Sequence, residues 1–137
     1  MLDYYHGKRE NGFSLVELMI VILIIGILAA IGIPMYYDSI YSAKRAEAIA
    51  AMGGIKSEIQ WYYAEYGWYP IVEKDDYVIG AFWNHIKPGE LNGINFSDSS
   101  YYYKCNDSEE WELKVKKKES FLEKDLKLKS DGSISGG

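Results

Sequence analysis

The apolar positions of this chain are unevenly spread. Residues 18–33 contain no charged side chain, whereas the chain beyond residue 72 is polar and charge-rich. Phe13 to Ile33 reads as one helix about 31 Å long, at about 1.5 Å per residue, which matches the roughly 30 Å hydrocarbon core of a bilayer. After Pro34 the helical period resumes. Ile55, Ile59, Tyr62, Tyr63 and Tyr66 fall at i, i+4, i+7, i+8 and i+11, while Lys44, Arg45, Glu47, Lys56, Glu58 and Glu65 take other positions, which predicts an amphipathic helix over 35–66. Pro34 lacks an N–H and clashes with the preceding turn, and Gly26 and Gly32 weaken the same region, so a bend is expected at Pro34. Gly53-Gly54 marks a weak or close-packed point. Gly67 is placed to cap the helix, with Pro70 beyond it to prevent continuation.

Residues 71–99 hold Asp, Asn, Gly and Pro at intervals and read as a loop region with one short element around Tyr77–Trp83. Three strand-like segments follow. Tyr101, Tyr103 and Cys105 alternate with Tyr102 and Lys104; Trp111, Leu113 and Val115 with Glu112, Lys114 and Lys116; Leu126 and Leu128 with Lys127 and Lys129. Period two with one apolar face is the pattern of a half-buried antiparallel sheet. Asn106–Glu109 and Ser130-Asp131-Gly132 supply turns, the latter before a short end at Ser133–Ser135. The expected fold is α+β: a long N-terminal helix, part transmembrane and part amphipathic, packed on a small antiparallel sheet of about three strands.

Composition narrows the function. The 137 residues allow one modest core. The net charge of −5 argues against a general nucleic-acid binder, whose affinity rests on cations meeting phosphates. Lys8 and Arg9 balance Asp3 and Glu10 within residues 1–12, so a chain cut after Gly12 keeps the −5 from its side chains. The single cysteine, Cys105, can form no internal disulfide and reads as a small apolar residue in a strand, with an intermolecular bridge as the alternative. The two histidines, His6 and His85, lie far apart, and no metal-ligand spacing, phosphate loop or nucleophile–base pair is visible. No cofactor, metal or catalytic residue is expected.

Lys8 and Arg9 precede the apolar segment, and no Lys or Arg follows until Lys44. The positive-inside tendency places the N-terminus in the cytoplasm and the head outside. A secretory signal peptide would have a shorter apolar core, and the helical period here continues past Pro34. A plain signal anchor explains the length but not Glu17. A carboxylate in an apolar helix is costly and marks a functional site, and no cation lies at helical spacing from Glu17. The simpler alternative is that Glu17 reaches the cytoplasmic headgroups.

Gly12-Phe13-Ser14-Leu15-Val16-Glu17, followed by the long apolar run, resembles the type IV prepilin processing site, and the resemblance extends to Tyr66-Gly67-Trp68-Tyr69-Pro70. It implies a cleaved leader over 1–12, a transmembrane and filament-core helix over 13–34, and an extracytoplasmic head over 35–137. Prepilin peptidase would cut between Gly12 and Phe13 and methylate the Phe13 amine. Glu17 would pair with the Phe13 amine of a neighbouring subunit, and the family uses the region of Pro34 as a bend. The implied partners are copies of the chain in a helical homopolymer, the peptidase, the inner-membrane assembly machinery and, before assembly, membrane lipid. A pseudopilin of a type II secretion system and a minor adhesive or DNA-uptake pilin are the alternatives. The calcium-loop pattern of major pseudopilins is not evident, and the C-terminal disulfide of many proteobacterial pilins cannot form within a chain with one cysteine.

Aromatic residues make up 15% of the chain, with Trp61, Tyr62, Tyr63, Tyr66, Trp68 and Tyr69 clustered. They are expected to fill the helix–sheet interface, with adhesion or stacking as the alternative. Lys116-Lys117-Lys118 reads as a solvated strand end because Glu119, Glu123 and Asp125 follow.

Overall fold

A computed structural model describes residues 12–107, 109–116 and 124–136. The leader residues before Gly12, and Lys117, Lys118, Glu119 and Glu123, lie outside the described residues. The chain divides into two compact units, one ending at Asp38 and the other beginning at Ser39.

Helix α1 runs Leu15–Tyr66 with Pro34 inside it. In the first unit it buries nothing. Its large apolar side chains over residues 13–37 range from 47% exposed at Val21 to 87% at Phe13. A contiguous apolar surface of this kind marks a segment whose proper surroundings are lipid or partner chains. The helix is long and apolar enough to cross a membrane.

The second unit has a core. Ala48, Met52, Ile55 and Ile59 of α1 are buried, one stripe at the 3.6-residue period. Gly67 takes a φ of +83°, which a Cβ-free residue adopts without strain, and its N–H donates to the Tyr63 carbonyl at 2.8 Å. This is the expected C-terminal cap. Added side chains at Gly53 and Gly54 would meet nothing within 4 Å, so that pair is not a close-packing point within the described chain.

Five strands follow: β1 (Val72–Tyr77), β2 (Tyr101–Cys105), β3 (Trp111–Val115), β4 (Leu126–Lys129) and β5 (Ile134–Ser135). They pair in sequence order, and every pairing is antiparallel. β2 and β3 alternate strictly between buried and half-buried positions. Their inner residues, with Leu126 and Leu128, close over the α1 stripe in one hydrophobic cluster. The α+β architecture is as expected, with five strands where about three were read. β5 lies in the predicted short end. β1 falls where a loop was expected, and Tyr77–Trp83 forms turns after its last residue instead of an element. The reason is chemical: Val72-Glu-Lys-Asp-Asp-Tyr77 has almost no apolar alternation. It is an edge strand held by backbone pairing to β2, with an irregularity between Val72 and Asp76, and by an Asp75–Lys114 ion pair at 2.8 Å.

Between β1 and β2 the chain sends Val78, Trp83 and Phe96 into the core, with Trp83 packed on Tyr103 at 4.6 Å between ring centroids. Carboxylates tie the same segment down. Glu47 of α1 accepts from Asn95 N at 3.0 Å, Asn95 Nδ2 at 2.6 Å and Phe96 N at 3.3 Å. Glu58 accepts from His85 N at 3.0 Å, and Asp98 accepts from Gly89 N and Leu91 N. A Cβ on Gly93 would meet the Glu47 carboxylate, so a larger residue there would make the Glu47 side chain shift from its place against Asn95 and Phe96.

The aromatic cluster departs from expectation. Trp61, Tyr63, Tyr66 and Trp68 are 45–51% exposed. Only Tyr62 and Tyr69 pack against the core. The rings stack on one another instead of under the sheet, Tyr62 on Tyr66 at 4.5 Å and Tyr63 on Tyr69 at 4.6 Å.

Candidate functional site

The chain enters α1 through Gly12–Ser14, which has no regular structure. Phe13 is 87% exposed, and nothing lies within 4 Å of the position a Gly12 Cβ would take. The Gly12–Phe13 bond therefore sits in backbone without regular structure, uncovered among the described residues, just ahead of a helix. A peptidase needs that state, because a bond inside a helix must unwind before it can enter an active-site cleft.

Ser14 and Glu17 close the start of the helix on each other. Ser14 N donates to Glu17 Oε2 at 2.9 Å, and Glu17 N donates to Ser14 Oγ at 3.3 Å. This is a capping box, in which the N-cap hydroxyl and the acid at the third helical position each satisfy the other's free backbone N–H. Leu18 N then donates to the Ser14 carbonyl at 3.2 Å as the helix begins. Glu17 has no cation at helical spacing, yet it does have a partner within its own chain, the backbone of Ser14. The signal was present in the sequence as Ser-x-x-Glu opening an apolar run. The box also occupies only one carboxylate oxygen in the bonds described. An ionised carboxyl group has about four acceptor positions, so acceptor capacity remains for a second donor.

The carboxylate thus sits three residues from Ser14 and four from Phe13, held in place, on a helix whose flanking side chains are exposed and apolar. Pro34 lies in the same helix, within the first unit, and α1 includes residues on both sides of it. Gly12, Phe13 and Glu17 are close along the chain; Pro34 is a separate feature.

Among the described residues the second unit offers no comparable site. Cys105 is a free thiol, 1% exposed in β2, as its reading as a small apolar residue expects. Burial raises its pKa despite the lowering contact from Tyr103, which makes it a poor nucleophile. Among the described residues no group of three or more His, Cys, Asp and Glu side chains could hold a metal ion. Lys116 sits over the Tyr102 ring, its Nζ 3.7 Å from the centroid. An open cleft at the β2–β3 turn, lined by Lys104, Glu110, Glu112 and Asp131 among others, is mostly polar.

Comparison with known proteins bears on the same end of the chain. Residues 7–33 match the family described as the prokaryotic N-terminal methylation motif. The chain is 48% identical over 61 residues to the fimbrial protein EcpC of Eikenella corrodens, covering 44% of this chain and 40% of that protein. It is also 48% identical over 61 residues to the type IV major pilin protein PilE1 of Neisseria gonorrhoeae, covering 44% of this chain and 37% of that protein. A fimbrial protein of Moraxella nonliquefaciens is 54% identical over 52 residues, covering 38% and 34% respectively. The matched region is thus less than half the length of these relatives. The methylation motif and these pilin and fimbrial relatives support the assignment of this chain to the type IV pilin family.

Proposed function

We propose that this protein is a structural subunit of a type IV pilus, cut by prepilin peptidase between Gly12 and Phe13, methylated on the new Phe13 amine, and polymerised through its N-terminal helix. The observation that carries the reading is the combination of a Gly12–Phe13 bond in irregular backbone with a carboxylate held four residues beyond it, at the start of a helix whose large apolar side chains up to Tyr37 are exposed. The divisions proposed are a cytoplasmic leader over 1–12, a membrane and filament-core segment over 13–34, and an extracytoplasmic head over 35–137. Before assembly the subunit crosses the inner membrane once, with its N-terminus in the cytoplasm. The assembly machinery then draws it into an extracellular filament. The chain is substrate and building block, not catalyst.

The physical logic lies at the new amine. Cleavage creates a cation that must enter an apolar filament core, where an unpaired charge is very costly. Glu17 of a neighbouring subunit supplies the counter-charge, and pairing the two offsets much of that cost while fixing the axial register of otherwise featureless helices. The capping box holds the Glu17 carboxylate in a defined position beforehand. Pro34, which cannot donate into the helix ladder, serves as the place where the helix bends or loosens during packing. A periplasmic pseudopilus is the nearest alternative product; the relatives' printed names, major pilin and fimbrial protein, favour the surface pilus.

The test is a Glu17 series in cells that assemble the filament. Glu17→Leu is expected to be membrane-inserted and cleaved but to yield few filaments, because removing one member of a buried charge pair costs about 3–5 kcal/mol. Glu17→Asp is expected to be intermediate. Filament yield, set against mature subunit held in the membrane, is the readout, and normal yield from Glu17→Leu would sink the pairing.

A further inference from the structure

The apolar run of α1 ends in a pair of tyrosines. From Leu18 to Tyr37 no residue is charged, and between Phe13 and Tyr36 no residue is aromatic. Tyr36 and Tyr37 then stand side by side, and Asp38 follows as the first charge after Glu17. Both rings are exposed. Neither belongs to the hydrophobic core or to the partly buried residues packed on it. Their ring contact is with each other, edge to face at 6.1 Å between centroids. Leucine would serve a helix that simply continues into lipid or into a bundle of like helices. Tyrosine adds a hydroxyl, which is costly in hydrocarbon without a partner and well satisfied among headgroups and water.

The spacing along the helix selects the surroundings. Glu17, Tyr36 and Tyr37 all lie on α1 within the first unit. From Glu17 to Tyr36 the helix rises about 28 Å, at about 1.5 Å per residue, against a hydrocarbon core about 30 Å thick. A helix placed with its carboxylate at one boundary of that core therefore has its tyrosines at the other. Two polar-tipped features, separated by uncharged residues over one bilayer thickness, match the two faces of a membrane. Aromatic rings with a polar tip concentrate at such boundaries, the ring against the acyl chains and the tip among the headgroups. A packed bundle of like helices sets no such spacing.

We propose that Tyr36 and Tyr37 dock on the headgroup layer of the extracytoplasmic leaflet and fix the depth of the subunit in the membrane before assembly. The proposal rests on the membrane-held subunit of the filament reading above and adds to it the contact that sets the helix's position. The consequence lies at the other end of the span. With Tyr36 held at the outer boundary, the first turn of α1 reaches the inner one, and the Gly12–Phe13 bond emerges among the cytoplasmic headgroups, where a peptidase can reach it. The pair acts on cleavage through position alone.

Full-length precursor in the membranes of cells lacking prepilin peptidase provides the test. Reporter cysteines are placed singly, as Ile33→Cys or Asp38→Cys, in the parent chain, whose own Cys105 is buried. A membrane-impermeant maleimide is added from the extracytoplasmic side. With the tyrosines present, Asp38→Cys is expected to label and Ile33→Cys to be protected. Tyr36→Leu with Tyr37→Leu lengthens the apolar run by about 3 Å and is expected to bring Asp38→Cys to the protection of Ile33→Cys. Tyr36→Trp with Tyr37→Trp keeps amphipathic rings in place and is expected to label as the tyrosines do. A leucine pair that labels like the parent, or a tryptophan pair that behaves like the leucine pair, overturns the anchor while leaving the filament reading standing. A leucine pair that leaves labelling unchanged but lowers filament yield in peptidase-containing cells assigns the tyrosines to a neighbouring subunit and equally overturns the anchor. Ile33→Cys open to the reagent in the parent chain removes the membrane span, and the filament reading falls with it.

Discussion

At Glu17 two demands meet on one carboxylate. It caps its own helix through Ser14 N at 2.9 Å, and in the proposed filament it also neutralises a neighbour's amine. Ser14→Ala separates the two, because the acid stays and its positioning partner goes. Loss of an N-cap of this kind costs about 1 kcal/mol. Faster amide exchange over Leu15–Leu18 is expected, with a filament yield between wild type and Glu17→Leu; a yield equal to Glu17→Leu would mean that the cap, not the charge pair, is what assembly requires. Glu47 is the second informative carboxylate. Burial raises its pKa, but the donors from Asn95 and Phe96 outweigh this and hold it below its ordinary value of 4.5. The Lys114 hydrogen bond likewise holds Asp75 below 3.8, and Lys114 is raised above 10.5 by the same contact. A depressed carboxylate contributes stability above its unfolded pKa and loses it as the pH falls through the folded value. The melting temperature of the head is therefore expected to be flat near neutrality and to drop as the pH falls below 4.5. Glu47→Gln should shallow that acid drop, and an unchanged acid profile would assign the loss to other groups.

At the scale of elements, the strands that pack were legible and the strand that does not was hidden. Tyr101, Tyr103, Cys105, Trp111, Leu113, Val115, Leu126 and Leu128 all face inward, as period-two alternation requires. β1 left no such signal because its stabilisation comes from backbone pairing and one ion pair. The aromatic cluster misled for a related reason: ring size argues for burial, but these rings satisfy one another by stacking at the exposed end of the helix. Of the candidate site, the Gly12–Phe13 junction and the misplaced acid were legible, while the Ser14–Glu17 box was written in the sequence as a capping signal masked by the louder apolar run. The packing account makes a direct comparison. Ile55→Ala, at a position with no exposure, should cost about 2–5 kcal/mol of head stability. Tyr66→Ala, at 48% exposure, should cost far less, within about 1 kcal/mol. Denaturant midpoints of the two variants check the order, and equal losses would mean that the aromatic stack bears on the core.

For the whole molecule, the two units divide the physics. The first exposes an apolar helix that only lipid or like helices can cover, and the second carries its own core and an acidic surface. A fragment beginning at Ser39 is expected to be soluble and to sediment as a monomer in dilute buffer, because it lacks the apolar helix that holds the polymer together. The central claim, that the chain is cut after Gly12 and built into filaments, is tested most directly by mass spectrometry of filaments sheared from cells that make this protein. The account predicts subunits of this sequence beginning at Phe13 and carrying one added methyl group on its amine. Filaments lacking this chain, or a mature chain beginning near residue 31 as an ordinary signal peptidase would leave it, would contradict the account.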